Sequence, residues 1–427
     1  MSKISELSDG GSLVSSDYLI AVRSGGNVKV RMDQINVDQV DLGDNEFIRL
    51  GNSQDLTMVH TSTQSIINQA GIGDLLIQKA GTTKLTVNST GIAVNGTLTT
   101  STAGTSNFIA GVNAGNSIVS GGNYNTVVGD EAGTAITTGD ENVAVGYNAL
   151  IASTTASQNT AVGASALLSN TSGQYNSALG REALKYNTSG AFNTAVGRTA
   201  LALNTTAYNN TAVGYAALNA NTTGASNVAV GANALDANTT ASNNTAVGHD
   251  ALTANTTGDQ NVAVGASAGL SVTTGIQNTL IGYLTGDALT DADYNTALGT
   301  SALTSDTLGS RAVAIGRNTL SSQNFTSATD NYNVAVGFSA GAAVTTGVNN
   351  TLIGGLAGDA ITTGSSNAAL GYNSLGLNTT GARNVAMGAE SLSANTTGAD
   401  NVAIGEDALT ANTTASNNTA VGTDSLL

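Results

Sequence analysis

Cysteine, proline and tryptophan are all absent from the 427 residues, and aromatic residues are scarce at 4%. The absence of cysteine excludes disulfide bonds and thiolate metal sites. So few aromatic side chains exclude the two or three large-residue cores expected of an ordinary chain of this length. The sequence also has no 18-residue apolar run and no signal-peptide pattern at its start. We therefore expect neither a membrane helix nor export by the general secretory route.

Basic residues are few and unevenly placed. Thirteen Lys and Arg stand against 29 Asp and Glu, which gives a net charge of −16, and seven of the thirteen lie before residue 91. This distribution provides no basic stripe for phosphate groups, so it predicts that the protein does not bind nucleic acid. The composition is also unlike that of a disordered chain, because 40% of the residues are hydrophobic and only 10% are charged.

An internal repeat governs the chain from residue 107 onward. The pattern Asn-x-(Ala/Val/Leu/Ile)-aliphatic-Gly occurs nineteen times between Asn107 and Asn418, and sixteen of the eighteen intervals are 17 residues. The first interval is 18 residues, and the unit 312–332 has 21 residues and lacks the leading Asn. Such a period indicates a solenoid. It sets off a repeat shaft (107–427) from the residues before it, which we divide into an N-terminal module (1–42) and a strand-rich connecting module (43–106).

The length of the unit distinguishes strands from helices. Seventeen residues punctuated by Gly and by Asn-Thr-Thr-Gly are too few for two helices and their connection. Short strands at turn-punctuated spacing fit instead. We predict an all-β parallel β-solenoid, preceded by small β-rich modules, in which each unit is one coil with two short strands and two turns. About nineteen coils stacked at roughly 4.8 Å make a rod about 90 Å long.

Two positions of the unit compensate for each other. With the leading Asn as position 1, position 9 is Leu in thirteen copies and position 12 is then polar, as in Leu252 and Asn255. In the other six copies position 9 is Gly and position 12 is aliphatic, as in Gly269 and Val272. Close packing produces this pattern when both side chains fill the same interior space. We therefore expect Leu252 and Val272 on the same side of the solenoid wall.

Positions 3 and 4 predict an oligomer. Both are apolar in every copy, as in Ala246 and Val247, although neighbouring residues of a strand face opposite sides. One side chain therefore faces the interior of the coil, and the other requires a cover from another subunit. A parallel homotrimer closes such a fibre without open edges along its length.

Two parts of the chain resemble known families. The motif Asn-Val-Ala-Val-Gly-x-x-Ala, at 142–149 and 261–268, resembles the head repeat of trimeric autotransporter adhesins of the YadA kind. This resemblance implies trimers of left-handed β-rolls, with units that are about three residues longer here. Residues 3–35 are similar to the N-terminal segments of tailed-phage fibre proteins, which implies that 1–42 is an N-terminal attachment module.

The phage resemblance implies a structural protein of the virion, a tail fibre assembled in the host cytoplasm. Its partners would be two further copies of itself, a phage tail or baseplate protein at the N-terminus, and a host cell-surface receptor reached directly or through a distal tip. A bacterial surface adhesin is an alternative, which evidence of export would favour. An ice-binding β-solenoid is another, because Thr pairs such as Thr205 and Thr206 recur in rows.

No set of residues suggests an enzyme, a cofactor site or a metal site. The two histidines, His60 and His249, are far apart in the sequence and are expected to be surface residues. The carboxylate pairs at 130–131 and 406–407 occupy a turn where other copies have no carboxylate.

The 21-residue unit is the best local candidate for a contact with another molecule. Its four extra residues predict a larger protruding loop, and loops commonly carry binding residues. Phe325, Asp330 and Tyr332 are the candidate contact residues.

Overall fold

The computed structural model describes residues 104–426 in full and, before them, the backbone of six strands; no helix occurs in these parts. The chain divides into two compact units, Met1–Leu98 and Thr99–Leu427. The first unit contains two antiparallel three-stranded sheets. Their strands are β1 Glu46–Leu50, β2 Leu56–His60 and β3 Ser65–Gln69 in one sheet, and β4 Leu75–Lys79, β5 Thr82–Asn88 and β6 Gly91–Val94 in the other. The predicted module 1–42 lies outside the described residues.

The second unit is a parallel β-solenoid, which confirms the fold predicted from the 17-residue period. Nineteen strands pair in register, each with its equivalent one coil away. A further short pair, β19 Gly309–Ser310 with β21 Thr329–Asp330, accompanies the 21-residue coil. The ladder consists of β7 Phe108–Ala110, β8 Thr126–Val128, β9 Val143–Val145, β10 Thr160–Val162, β11 Ser177–Leu179, β12 Thr194–Val196, β13 Thr211–Val213, β14 Val228–Val230, β15 Thr245–Val247, β16 Val262–Val264, β17 Thr279–Ile281, β18 Thr296–Leu298, β20 Val313–Ile315, β22 Val334–Val336, β23 Thr351–Ile353, β24 Ala368–Leu370, β25 Val385–Met387, β26 Val402–Ile404 and β27 Thr419–Val421.

The prediction of two strands per coil is wrong: between residues 104 and 426 each regular coil has one strand of three residues. The backbone of each coil changes direction at too many positions to form a second strand. Gly248, at position 5, adopts a φ of 142°, and a Cβ there would collide with the backbone carbonyl of Gly265 in the next coil. Positions 7, 9 and 17 are all left-handed, with φ values of 56° at Asp250, 50° at Leu252 and 61° at Gln260.

A leucine in the left-handed conformation is unusual, and burial accounts for it. That conformation costs a residue with a side chain about 1–2 kcal/mol, whereas full burial of a leucine contributes about 1.5–3 kcal/mol. Leu252 is fully buried, so burial offsets the strain. Position 9 therefore accepts either glycine, which avoids the strain, or leucine, which fills the core.

Positions 9 and 12 share one interior space, as their compensation predicts. Leu252 and Val272 are both fully buried in the same hydrophobic cluster, which confirms their placement on one side of the wall. A Cβ at Gly269 would lie 2.9 Å from Cδ2 of Leu252 and 3.4 Å from Cγ2 of Val272. Leu280, at position 3 of the next coil, also reaches this space, with its Cδ1 2.9 Å from the same point. Neighbouring side chains thus fill the volume that the glycine leaves.

An asparagine ladder at position 1 joins the coils. The backbone N–H of Asn244 donates to Oδ1 of Asn227, one coil earlier, at 2.9 Å. Nδ2 of Asn244 donates to the carbonyl oxygen of Gly258, also at 2.9 Å. The same two bonds recur in successive coils, as in Asn261. Because the amide atoms are paired in this way, the asparagines are buried with their hydrogen bonds made.

A second ladder runs along position 12 wherever consecutive coils have Asn there. Nδ2 of Asn255 donates to Oδ1 of Asn238 at 3.1 Å, and equivalent bonds continue back to Asn170. Val272 occupies position 12 of the next coil, so the ladder ends and Oδ1 of Asn255 is buried without a partner. The sequence shows this position as polar, but it does not by itself show the ladder.

Candidate functional site

The 21-residue coil, 312–332, is where the sequence predicts a contact loop. Residues 326–328 at its tip are exposed. Tyr332 and Asp330 are exposed as well, whereas Phe325 is only 6% exposed. The coil therefore presents two of the three candidate residues at the surface and keeps Phe325 inside.

A buried carboxylate holds Phe325 in place. Oδ1 of Asp306 accepts the backbone N–H of Phe325 at 3.0 Å and that of Gly309 at 3.1 Å. Oδ2 of Asp306 accepts a bond from Nε2 of Gln323 at 2.6 Å. Asp306 and Gln323 are both fully buried at position 12 of successive coils. The inserted segment therefore folds back at Phe325 and projects only beyond it.

Asn331 replaces the asparagine that this coil lacks at position 1. The residue there is Ala312, which has no side-chain acceptor for the N–H of Asn333. Oδ1 of Asn331 accepts that N–H at 2.9 Å, and Nδ2 of Asn331 donates to the carbonyl of Ser310 at 2.8 Å. Nδ2 of Asn333 also donates to Oε1 of Gln323 at 2.9 Å. The extra residues thus restore the ladder that the substitution interrupts.

The exposed side of the coil carries an ion pair between two aromatic rings. Nε of Arg311 lies 3.0 Å from Oδ1 of Asp330. The guanidinium carbon lies 4.7 Å from the ring centroid of Tyr294 and 6.0 Å from that of Tyr332. The hydrogen bond to Asp330 and its charge raise the pKa of Arg311 above its usual value. Arg311 therefore lies beside both exposed candidate residues, Asp330 and Tyr332.

The outward face of the strand ladder carries an apolar column along its length. Position 3 faces the interior, as in the fully buried Ala246, and positions 2 and 4 face outward. Position 4 carries an aliphatic residue or methionine, and Leu298 there is 45% exposed. This confirms that positions 3 and 4 face opposite sides. Position 2 is Thr or Ser in ten of the nineteen strands, so the apolar part of the face is the column at position 4. An uninterrupted column of nineteen apolar side chains that are exposed or half-buried is unusual on the surface of a monomeric protein.

The threonine rows are partly used by the fold itself. Oγ1 of Thr205 donates to the backbone carbonyl of Thr222 at 3.0 Å, and this bond recurs from coil to coil at position 13. Thr206, the second residue of the pair, is exposed. Each pair therefore presents one hydroxyl to solvent while the other links coils.

The residues that catalysis or metal binding would use are dispersed. His249 is exposed, and its Nδ1 lies 2.9 Å from Oδ2 of Asp250. His60 belongs to β2, and its side chain lies outside the described residues. Where the structure is described, no three His, Cys, Asp or Glu side chains group to hold a metal ion. The same parts contain no helix of the length and hydropathy needed to span a membrane.

No protein-family model matches the chain, and no match was found among curated proteins or among solved structures. The geometry itself defines the class, which is a repeat protein built as a parallel β-solenoid.

Proposed function

We propose that the chain is a homotrimeric tail fibre of a tailed phage. Its N-terminal region binds a tail or baseplate protein, and its solenoid projects toward the host surface and takes part in adhesion. The observation that carries the proposal is the apolar column at position 4 on the outward face of the strand ladder, because a single chain in water would leave this column uncovered.

The outward face is large enough for a stable interface. Nineteen strands at about 4.8 Å extend about 90 Å, and three residues at about 3.3 Å add roughly 10 Å, so the face covers roughly 900 Å². Stable interfaces bury about 800 Å² on each partner. Three parallel copies around a common axis cover the face in every chain and keep all three N-termini at the attachment end.

The construction of the solenoid suits a stiff spacer. Each coil bonds to the coils on either side through the strand ladder and the asparagine ladders, so the rod lengthens while its cross-section stays the same. A chain without cysteine also needs no oxidising compartment to fold, which agrees with assembly in a host cytoplasm.

Light scattering coupled to size-exclusion chromatography tests the trimer. We expect a mass three times the 42.1 kDa of the chain. Leu298→Asp places a charge on the outward face and should dissociate the trimer, whereas Leu377→Asp, at an exposed leucine outside the strands, should not. A well-folded wild-type monomer, or equal behaviour of the two variants, would contradict the trimer.

Electron microscopy of labelled phage particles tests the location. An antibody against the repeat shaft should decorate thin rods at the tail that are at least about 90 Å long. Labelling of a cell surface without particles would favour the adhesin. Thermal hysteresis of the purified protein would favour the ice binder, which we rank lower because the position 13 hydroxyls are already bonded within the fold.

A further inference from the structure

Three exposed aromatic rings lie in neighbouring coils at one corner of the solenoid. Tyr175, Phe192 and Tyr208 lie in three consecutive coils, at positions 17, 17 and 16, and are 47%, 57% and 54% exposed. The rings of Tyr175 and Phe192 stack, with their centroids 4.8 Å apart and their planes at 4°. In a chain with 4% aromatic residues, three such rings in adjacent coils form a distinct surface, here called the aromatic platform.

A shallow groove of about 400 Å³ lies against the aromatic platform, between Phe192 and Tyr208. Its remaining lining residues are Ser189, Ala191, Thr206 and Asn209. Within residues 104–426, the side chains of Ser189, Thr206 and Asn209 form no hydrogen bond. The groove therefore combines flat apolar rings with hydroxyl and amide groups that are free to bind a ligand.

This combination matches the chemistry of a sugar ring. A pyranose has an apolar face of C–H groups, which packs on an aromatic face, and an edge of hydroxyl groups, which bond to hydroxyl and amide side chains. No charged residue lines the groove, and the net charge of −16 disfavours a polyanion. The groove therefore favours an uncharged sugar over a phosphorylated or sulfated one.

We propose that the aromatic platform and its groove bind neutral hexose units of a polysaccharide. The proposal rests on the tail-fibre function only for the source of that polysaccharide, which is the host surface. The platform and its groove together occupy positions 14 to 17, outside the strand positions 2 and 4 that the trimer would bury. Sugar binding and trimer formation therefore use different residues.

A microarray of bacterial polysaccharides, probed with the purified full chain and followed by calorimetry on each positive, tests the proposal. We expect wild type to bind a polysaccharide rich in neutral hexoses. The double variant Phe192→Ala with Tyr208→Ala should bind it about tenfold more weakly. Phe192→Leu keeps an apolar side chain without a flat ring and should also lose affinity.

The matched control is Tyr124→Ala. Tyr124 is an exposed tyrosine at the last position of its coil, with the same left-handed backbone as Phe192, and among the fully described residues no ring stacks on it. Its replacement should leave the affinity unchanged, and circular dichroism should show that all variants fold. The proposal is overturned if wild type binds no neutral polysaccharide, if it binds only charged ones, or if the double variant binds as well as wild type. Such results leave the tail-fibre proposal standing, because particle imaging tests it separately.

Discussion

Asn255 is hydrogen bonded to Asn238 in the coil before it and to no residue in the coil after it. Its Nδ2 donates to Oδ1 of Asn238 at 3.1 Å, while its own Oδ1 is buried without a donor because Val272 occupies the equivalent position ahead. Asn221, inside the same ladder, is bonded on both sides: it donates to Asn204 and accepts from Asn238. The ladder therefore provides an internal comparison between a linked and a terminal amide.

Replacing an interior ladder residue should cost more than replacing the terminal one. We expect Asn221→Ala to lower the free energy of unfolding by about 1–2 kcal/mol more than Asn255→Ala, because it leaves unpaired groups in two neighbouring coils. Urea denaturation at fixed protein concentration measures the difference. Equal losses for the two variants would show that the second link of Asn221, to Asn238, adds nothing to stability.

The shared space between positions 9 and 12 should produce energetic coupling. Leu252→Gly leaves a cavity, and Asn255→Val crowds the space that Leu252 occupies. The double variant recreates the pattern of Gly269 and Val272, so we expect its loss of stability to be about 1–2 kcal/mol smaller than the sum of the single losses.

The control for that cycle pairs Leu252→Gly with Asn204→Val, whose sites are three coils and about 14 Å apart. These two losses should add. If the losses of stability also add for Leu252→Gly with Asn255→Val, the two side chains do not share one interior space.

The 21-residue coil should depend on the buried carboxylate of Asp306, in the coil before it, and not on its own exposed Asp330. Asp306→Ala leaves three buried donors without an acceptor, so we expect a loss of about 3 kcal/mol or more. Asp330→Ala breaks only the surface pair with Arg311 and should cost less than about 1 kcal/mol. Thermal unfolding of the two variants measures this contrast, and similar melting temperatures would refute it.

Asp236 should lower stability as its carboxyl group ionises. Burial, together with the charge of Asp250, raises its pKa above 3.8, and a hydrogen bond with Asn219 offsets part of the shift. Because the folded state holds the proton more tightly than the unfolded state, the free energy of unfolding falls as pH rises through the raised pKa. Asp236→Asn should therefore be more stable than wild type at pH 7, and this advantage should vanish below about pH 3.8.

Asp130→Asn is the control for that titration, since it removes the same charge from an exposed position. Urea unfolding between pH 3 and pH 7 compares the two variants. A difference between them that stays constant over this range would contradict the burial of Asp236 as the cause.

The period and the compensation between positions 9 and 12 were sufficient to predict the solenoid and the common interior. The solenoid and its common interior both depend on packing, and packing restricts which residue sizes occur at a position, as at Leu252 and Gly269. The predicted second strand failed because left-handed backbone at positions 7 and 9 is compatible with ordinary residues such as Asp250 and Leu252. In such coils the residue types at positions 7 and 9 do not indicate a turn.

The burial of Phe325 was not predictable from the length of the insertion. A protruding loop is the simplest expectation for four extra residues, but Asp306 and Gln323 in neighbouring coils provide acceptors and donors that draw the segment inward. The available signal was the replacement of Asn by Asp and Gln at position 12 in two consecutive coils. Asn331, two residues before Asn333, was a similar signal for the repaired ladder.

Because successive coils bond to each other in the same way, the gene can gain or lose repeats over generations without disturbing the bonds between coils. Unequal crossing-over between repeats adds or deletes whole coils, and each event alters reach in steps of about 4.8 Å while the junction residues still match. The segment that contains Asp306, Gln323 and Asn331 is the exception, because its side-chain bonds differ from those of the regular coils: Gln323 donates to Asp306 and accepts from Asn333, and Asn331 donates to the carbonyl of Ser310. Recombination that preserves the fold must therefore inherit that segment as one block, while the regular coils on either side are free to vary in number.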